Sequence, residues 1–434
     1  MKFQFLLLFS VVFVFGCKKS EDKSPPAIQI ISPSGGLPTY AYSSSIFIEF
    51  TAKDNEAIGE WIVTLKDEQG TTRYTSGTRA VNSNPLEITK NVGLFFEDVR
   101  WPGGDYLISV EVRDASGNRN AAFKTIRYYE APLARNALLV LSSNGGGSSL
   151  DSLSSNGLFS TINTYVSDAS IAFASSWHQE FILGGNDSPQ ICFSPFESLI
   201  ETNCYAGLNP LSGNFTQDIV FDPNSLTYLT ACFDGAIREF QRSGNLIRTI
   251  PISGNFVPEE LFISSNRIVA EVRNEAQDLS VLYSLDRNSG ALIQSLVCPG
   301  NVISLEMFGS NVLVAGTANG LPYVFYVDPE SLSVTDLNWY VSDLPLKKMI
   351  RLSEDRYALA HSNGVYMHIF ATNQFVDGSA NGINAIDLAY DAANNVLFVL
   401  DESTLYQLNS ASMTIVDSWP APAGALDIEV LLNK

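Results

Sequence analysis

From Leu138 onward the chain repeats one pattern, a short unbroken apolar run followed by a polar turn dipeptide. The runs begin at Leu138, Phe181, Tyr228, Ile268, Val312, Tyr357 and Val396. They lead into Asn144-Gly145, Gly185-Asn186, Asp234-Gly235, Asn274-Glu275, Asn319-Gly320, Asn363-Gly364 and Asp401-Glu402. Asn-Gly and Asp-Gly supply the positive φ angles of tight two-residue hairpins. The spacing is roughly 39 to 47 residues, the length of one four-stranded propeller blade. The best-formed repeat carries apolar segments at 218–221, 226–232, 236–240 and 246–250, separated by Asp222-Pro223-Asn224, Asp234-Gly235 and Ser243-Gly244-Asn245. That is four strands and three hairpins. The array opens at Leu138 with what reads as a second strand, and it closes at 426–431 with an innermost strand lacking the other three. The two partial blades complete each other, so residues 135–434 are expected to form a seven-bladed β-propeller closed by the C-terminal strand.

Residues 27–132 show a different pattern. Apolar and polar positions alternate in short stretches, as in Ile46-Phe47-Ile48-Glu49-Phe50-Thr51-Ala52, with turn residues between them and no helical period. About seven short strands in about 100 residues predict a β-sandwich. The strand of Trp61 is expected to supply its core aromatic, and the segment has no cysteine for an inter-sheet bridge. The fold class is therefore all-β, a sandwich followed by a propeller.

The N-terminus adds a compartment. Lys2 and the apolar run 3–15 have the parts of a signal peptide, assigned to residues 1–16, and the run is too short for a spanning helix. Val14-Phe15-Gly16-Cys17 resembles the lipobox of bacterial lipoproteins, which implies that Cys17 is lipidated and that residues 17–26 are a polar tether. Glu21-Asp22 resembles the acidic signal that, in some Gram-negative groups, directs display on the outer face. The formal charge of −20, with 46 acidic against 26 basic residues, repels phosphate backbones and argues against nucleic-acid binding.

Two stretches of the sandwich segment resemble bacterial immunoglobulin-like modules: Ala52-Lys53-Asp54-Asn55-Glu56-Ala57-Ile58 before Trp61, and Val112-Arg113-Asp114-Ala115-Ser116-Gly117-Asn118. In some members of that class such turns bind calcium. The resemblance implies Asp54, Asn55, Glu56, Asp114 and Asn118 as ligands; the alternative is that Asp, Asn and Gly sit there because turns need them. The blades resemble the YVTN, NHL and quinoprotein-like class, through the Y-x-L-(four residues)-G-x-x-I pattern of Tyr283 to Ile293, and not WD40 or kelch repeats.

Candidate chemistry is sparse. Asp218, Glu260, Asp387 and Asp427 each stand at the start of an innermost strand, with Lys348 at the equivalent place in another blade. They either ring a channel that holds a cation or a ligand amine, or solvate its entrance. His178, His361 and His368 lack metal-ligand spacing and read as packing or surface residues. Gly145-Gly146-Gly147 precedes no helix and reads as a hairpin tip. Trp177, Trp339-Tyr340 and Trp419 are expected at blade ends, for packing or ligand stacking. Cys192 and Cys204 flank one turn and are candidates for a disulfide, with Cys232 and Cys298 read as buried.

No catalytic grouping emerges, and no cofactor is expected apart from the calcium alternative. The sequence thus points to a lipid-anchored protein of the bacterial outer membrane, on its periplasmic or cell-surface face. It would bind an envelope protein or glycan through propeller loops. The alternative is a propeller enzyme of the glycan hydrolase or lyase type.

Overall fold

The computed structural model describes residues 24–434, apart from 84, 144–145, 166–168, 186–189, 197–202, 207–214, 338–343 and 379–380. The signal segment, Cys17, Asn186 and Trp339-Tyr340 therefore lie outside the described residues, as does the Asn144-Gly145 turn. The described chain is all-β, interrupted by two single 3-10 turns. It divides into two compact units after Pro132.

In the first unit, strands β1 (Ala27–Ser32), β3 (Ser45–Lys53) and β7 (Glu87–Phe95) form one sheet in the order β1-β3-β7. A second sheet runs β2 (Thr39–Ala41), β9 (Arg119–Tyr129), β8 (Gly104–Asp114), β4 (Ile58–Lys66), β5 (Thr72–Thr75), with β6 (Arg79–Ala80) beside β4. Inward residues of both sheets share one core, in which Ile46, Ile48 and Phe50 of β3 meet Ile108, Val110 and Val112 of β8. Alternation along these strands, buried at every second position, is the period-two pattern a sandwich requires. The aromatic centre departs from expectation. Trp61 is only partly buried, edge-on to Phe50, and the buried cluster consists of Phe96, Trp101, Tyr106 and Tyr128. Tyr106 donates its hydroxyl proton to the Pro102 carbonyl at 2.8 Å.

The second unit contains seven four-stranded antiparallel sheets. Sheets 2 to 7 are consecutive meanders whose first strands are Ala169–Ser175, Thr216–Asp222, Val257–Ile263, Asn301–Phe308, Leu346–Arg351 and Asp387–Asp391. Sheet 1 joins Arg135–Ser143 and its two successors to the last strand of the chain, Ala425–Leu432, with Leu139 opposite Glu429. The pairing expected between the two ends of the array is present.

Burial explains the sequence rhythm. Second strands are buried throughout, as in Thr227–Cys232, whereas fourth strands such as Leu292–Val297 are largely exposed. Apolar side chains of consecutive sheets share a core. The cluster around Leu138, Val140, Phe398, Leu400 and Ile428 joins sheet 7 back to sheet 1. First strands likewise touch in series, and the last strand of the chain lies against the first strands of both sheet 7 and sheet 2. Sheets 3 and 4 are further bound by Arg287, whose guanidinium reaches Asp222 and Glu239, both at 2.7 Å.

Candidate functional site

The first strands are irregular at one recurring point. Their register slips between Ala169 and Ile171, Thr216 and Asp218, Pro258 and Glu260, Val302 and Ser304, and Leu346 and Lys348. The closing strand does the same between Ala425 and Asp427. A bulge re-aims the side chain that follows it. Here it turns Asp218, Glu260, Lys348 and Asp427, with Asp387 of sheet 7, toward contiguous cavities lined by the first strands. Lys348 lines all three of these spaces, of about 760, 390 and 180 Å3. All four carboxylates proposed from sequence, and Lys348 with them, are thus brought together.

Besides Asp222, which Arg287 holds, two further carboxylates line these cavities, Glu306 and Glu429, and both were missed by sequence reasoning. Each stands two residues beyond a bulge-following position, Ser304 and Asp427, and so on the same face of its strand. Arg351 adds a second basic group.

Most of these groups also join neighbouring sheets. Asp218 accepts the Leu261 amide at 2.8 Å, Asp387 the Ile428 amide at 3.0 Å and Asp427 the Ala172 amide at 2.6 Å. In each case the donor follows the equivalent position of the next sheet. Glu306 accepts the Arg351 amide and Glu429 the Ala174 amide in the same way. The Lys348 ammonium stands 2.9 Å from Asp387.

Enclosure and mutual repulsion shape the protonation of this cluster. Burial raises Asp218 to about 6, Glu306 to about 7 and Glu429 to about 8, against partial compensation by backbone amides and Lys348. Glu260 is raised well above the ordinary carboxylate range by burial and by the neighbouring Asp218. Within the pair Asp387 and Asp427, burial and the adjacent Asp387 charge keep the proton on Asp427. Asp387 stays low because Lys348 offsets its burial. Burial works against the Lys348 charge, but Asp387, the largest influence, drives its affinity for the proton upward.

The remaining candidates fall elsewhere. The two turns carrying Asp54, Asn55 and Glu56 and Asp114 and Asn118 do meet, through Ser116 Oγ donating to Glu56 Oε2 at 2.9 Å. Their carboxylates also serve the turns: Asp54 accepts the Glu56 amide, and Asp114 accepts both the backbone and side-chain N–H of Asn118. Among the described residues no three His, Cys, Asp or Glu side chains are grouped so as to hold a metal ion. Cys192 and Cys204 face each other across one hairpin and are disulfide-bonded, while Cys232 and Cys298 are buried and free. His178, His361 and His368 are all buried. His178 Nδ1 is 2.6 Å from the Tyr228 hydroxyl, which donates to Glu180. Trp177 and Trp419 are both partly buried.

No model of a known protein family matches the chain, and no curated protein matches it.

Proposed function

We propose that this chain is a lipid-anchored envelope binding protein, in which an immunoglobulin-like module carries a seven-bladed β-propeller that recognises a protein or glycan partner. The observation that carries the propeller assignment is the core joining sheet 7 to sheet 1, since a row of sheets with free ends would leave those faces uncovered. Support for the immunoglobulin-like assignment comes from the β1-β3-β7 and β2-β9-β8-β4-β5 sheets. The Tyr106 hydroxyl, bonded four residues upstream near the start of β8, adds the tyrosine corner of such domains. Rigid blades hold loops in fixed relation to one another, which suits recognition. The channel carboxylates favour binding over turnover, because several are occupied by amides of the adjacent sheet.

The anchor belongs to the same proposal: Cys17 would be lipidated at the outer membrane, and no described helix is long and apolar enough to cross a membrane. Cys17→Ala should release the protein from membranes; a variant that still sediments with them refutes the anchor. Partner recognition is tested by retaining envelope extract and a panel of polysaccharides on the immobilised chain from Lys18 on, with products monitored. An unaltered protein or glycan that is retained, and lost on mutation of the propeller loops, supports binding.

One observation favours an enzyme as the second reading. Asp218 and Glu306, raised to about 6 and 7, line a single cavity, an arrangement from which a general acid can be drawn. Polymer turnover abolished by Glu306→Gln would replace the binding proposal with that one.

A further inference from the structure

The cavity of about 760 Å3 has two bands of opposite character. Phe173, Val220, Phe262 and Ile350, each two residues beyond its strand's bulge-following position, form an apolar belt. Glu306 takes the same place in its own strand and interrupts the belt, while Glu260 and Asp218 stand in the row before it. Across this and the adjoining space, and apart from Asp222, which Arg287 holds, six carboxyl groups face two basic ones, Lys348 and Arg351. Lys348 is already held by Asp387, and the Arg351 Nε donates to the Ser353 carbonyl at 2.9 Å. The surplus carboxyls keep their protons, and a cation that entered would displace them.

Geometry decides what kind of cation could enter. The carboxyls are spread around the wall, and no three of them are grouped for a metal ion. A small inorganic ion would reach too few of them, whereas a chain with an apolar shaft and a charged end matches both bands. The cavity, at about 760 Å3, lies within the usual range for small-ligand sites.

We propose that this cavity binds an alkylammonium chain, its methylenes along Phe173, Val220, Phe262 and Ile350 and its ammonium group donating to Glu260 and Glu306. The inference deepens the binding proposal above and rests on it. The same chemistry has two sources, a free polyamine or a lysine side chain of a partner protein. The Phe173 and Phe262 rings add favourable contact with a cation. Binding draws the acids into their charged form, so protons leave as the amine enters. Asp218, Asp427 and Glu429 share in that titration, and Glu271, behind Glu260, adds its repulsion.

Isothermal titration calorimetry of the full chain in non-ionic detergent tests this, with spermidine, a lysine-containing tripeptide, calcium and a neutral oligosaccharide as probes. Runs in PIPES and in Tris, whose ionisation heats differ, count the protons released. An amine probe should bind with net proton release, and about tenfold more tightly at pH 8 than at pH 6, as one group near 7 ionises. Glu306→Gln and Glu260→Gln, which keep side-chain shape, should weaken binding about tenfold or more while the thermal melt remains cooperative. Binding of spermidine supports the proposal with a free polyamine as source, and binding of the tripeptide alone supports it with a partner side chain. Absence of amine binding by the unmodified chain overturns it, as does amine binding that is pH-independent, and so does calcium or oligosaccharide binding in place of the amines. Retention of a partner in the pull-down despite such a result leaves the broader recognition proposal standing.

Discussion

Replacing Arg287 by Met tests how the sheets of the second unit are held together. Arg287, Asp222 and Glu239 are 8%, 3% and 5% exposed, so water screens them little. The guanidinium donates to Asp222 from both Nε and Nη2, at 3.0 and 2.7 Å, and to Glu239 at 2.7 Å. Arg248 also reaches Glu239, at 2.6 Å, so loss of Arg287 falls hardest on Asp222. Removing one partner of a buried pair costs about 3–5 kcal/mol. A unit of about 300 residues has an unfolding entropy of about 0.6 kcal/mol/K, so Arg287→Met should lower Tm by about 5–8 °C. Adding Asp222→Asn should recover part of the loss by removing the stranded charge. The pH dependence has a definite sign. Burial alone would raise Glu239, but hydrogen bonds led by Arg287 bring it down to about 2. Its contribution is therefore present above the unfolded value of about 4.3 and fades as pH falls through 2, so wild type and variant should converge only below about pH 2. The assay is thermal unfolding by circular dichroism or calorimetry. A change below about 1 kcal/mol, the worth of an exposed pair, would refute the reasoning, as would no recovery with Asp222→Asn.

Three other outcomes follow from particular contacts. The cavity acids Asp218, Glu306 and Glu429 sit at about 6, 7 and 8, above their unfolded values, so their contribution is complete below about pH 4 and lost as pH rises through 6 to 8. Tm should decline from pH 5 to 8.5, less steeply in Glu306→Gln; a flat or rising profile contradicts this. Tyr106→Phe removes the hydroxyl bond to Pro102 and should cost the first unit about 1 kcal/mol, with a melt unchanged within error counting against the corner. Cys192→Ser opens a bridge between residues 12 apart in sequence and should cost about 3 kcal/mol, matched by reduction of the wild type; equal Tm with and without reductant argues against the bridge.

The second strands were legible because they are buried on both faces and are therefore mostly apolar, as in Val312, Leu313, Val314 and Ala315. Fourth strands such as Val334–Asp336 and Gln374–Val376 are three residues long and none of these residues is buried, so nothing in their composition marks them. Asp218, Glu260, Asp387 and Asp427 could be read as polar intrusions at the start of apolar strands. Glu306 was hidden because the small Ser304 holds the bulge-following place in its strand, and Glu429 because Asp427 already filled that place in the last strand. Stepping two residues along every first strand would have found both. Trp61 misled because its strand carries the aromatic, whereas Trp101 reaches the core from a loop, and loop positions carry no periodicity. The buried state of His178 depends on Tyr228 and Glu180, which come from two different sheets. The Arg287 cluster likewise draws on separate segments, and pairwise chemistry of that kind leaves no local trace.

Sheet 1 has a consequence for timing. Six sheets arise from neighbouring segments and can form as soon as each is made, but Arg135–Ser143 must await Ala425–Leu432, nearly the whole unit later. Closing a loop of that length rather than a hairpin of about ten residues costs about 3 kcal/mol more in chain entropy. That cost raises the barrier to assembly, and contacts so distant in sequence are associated with slow folding. The unit should therefore pass through an open intermediate whose exposed strand edge can pair with another molecule until the last strand arrives.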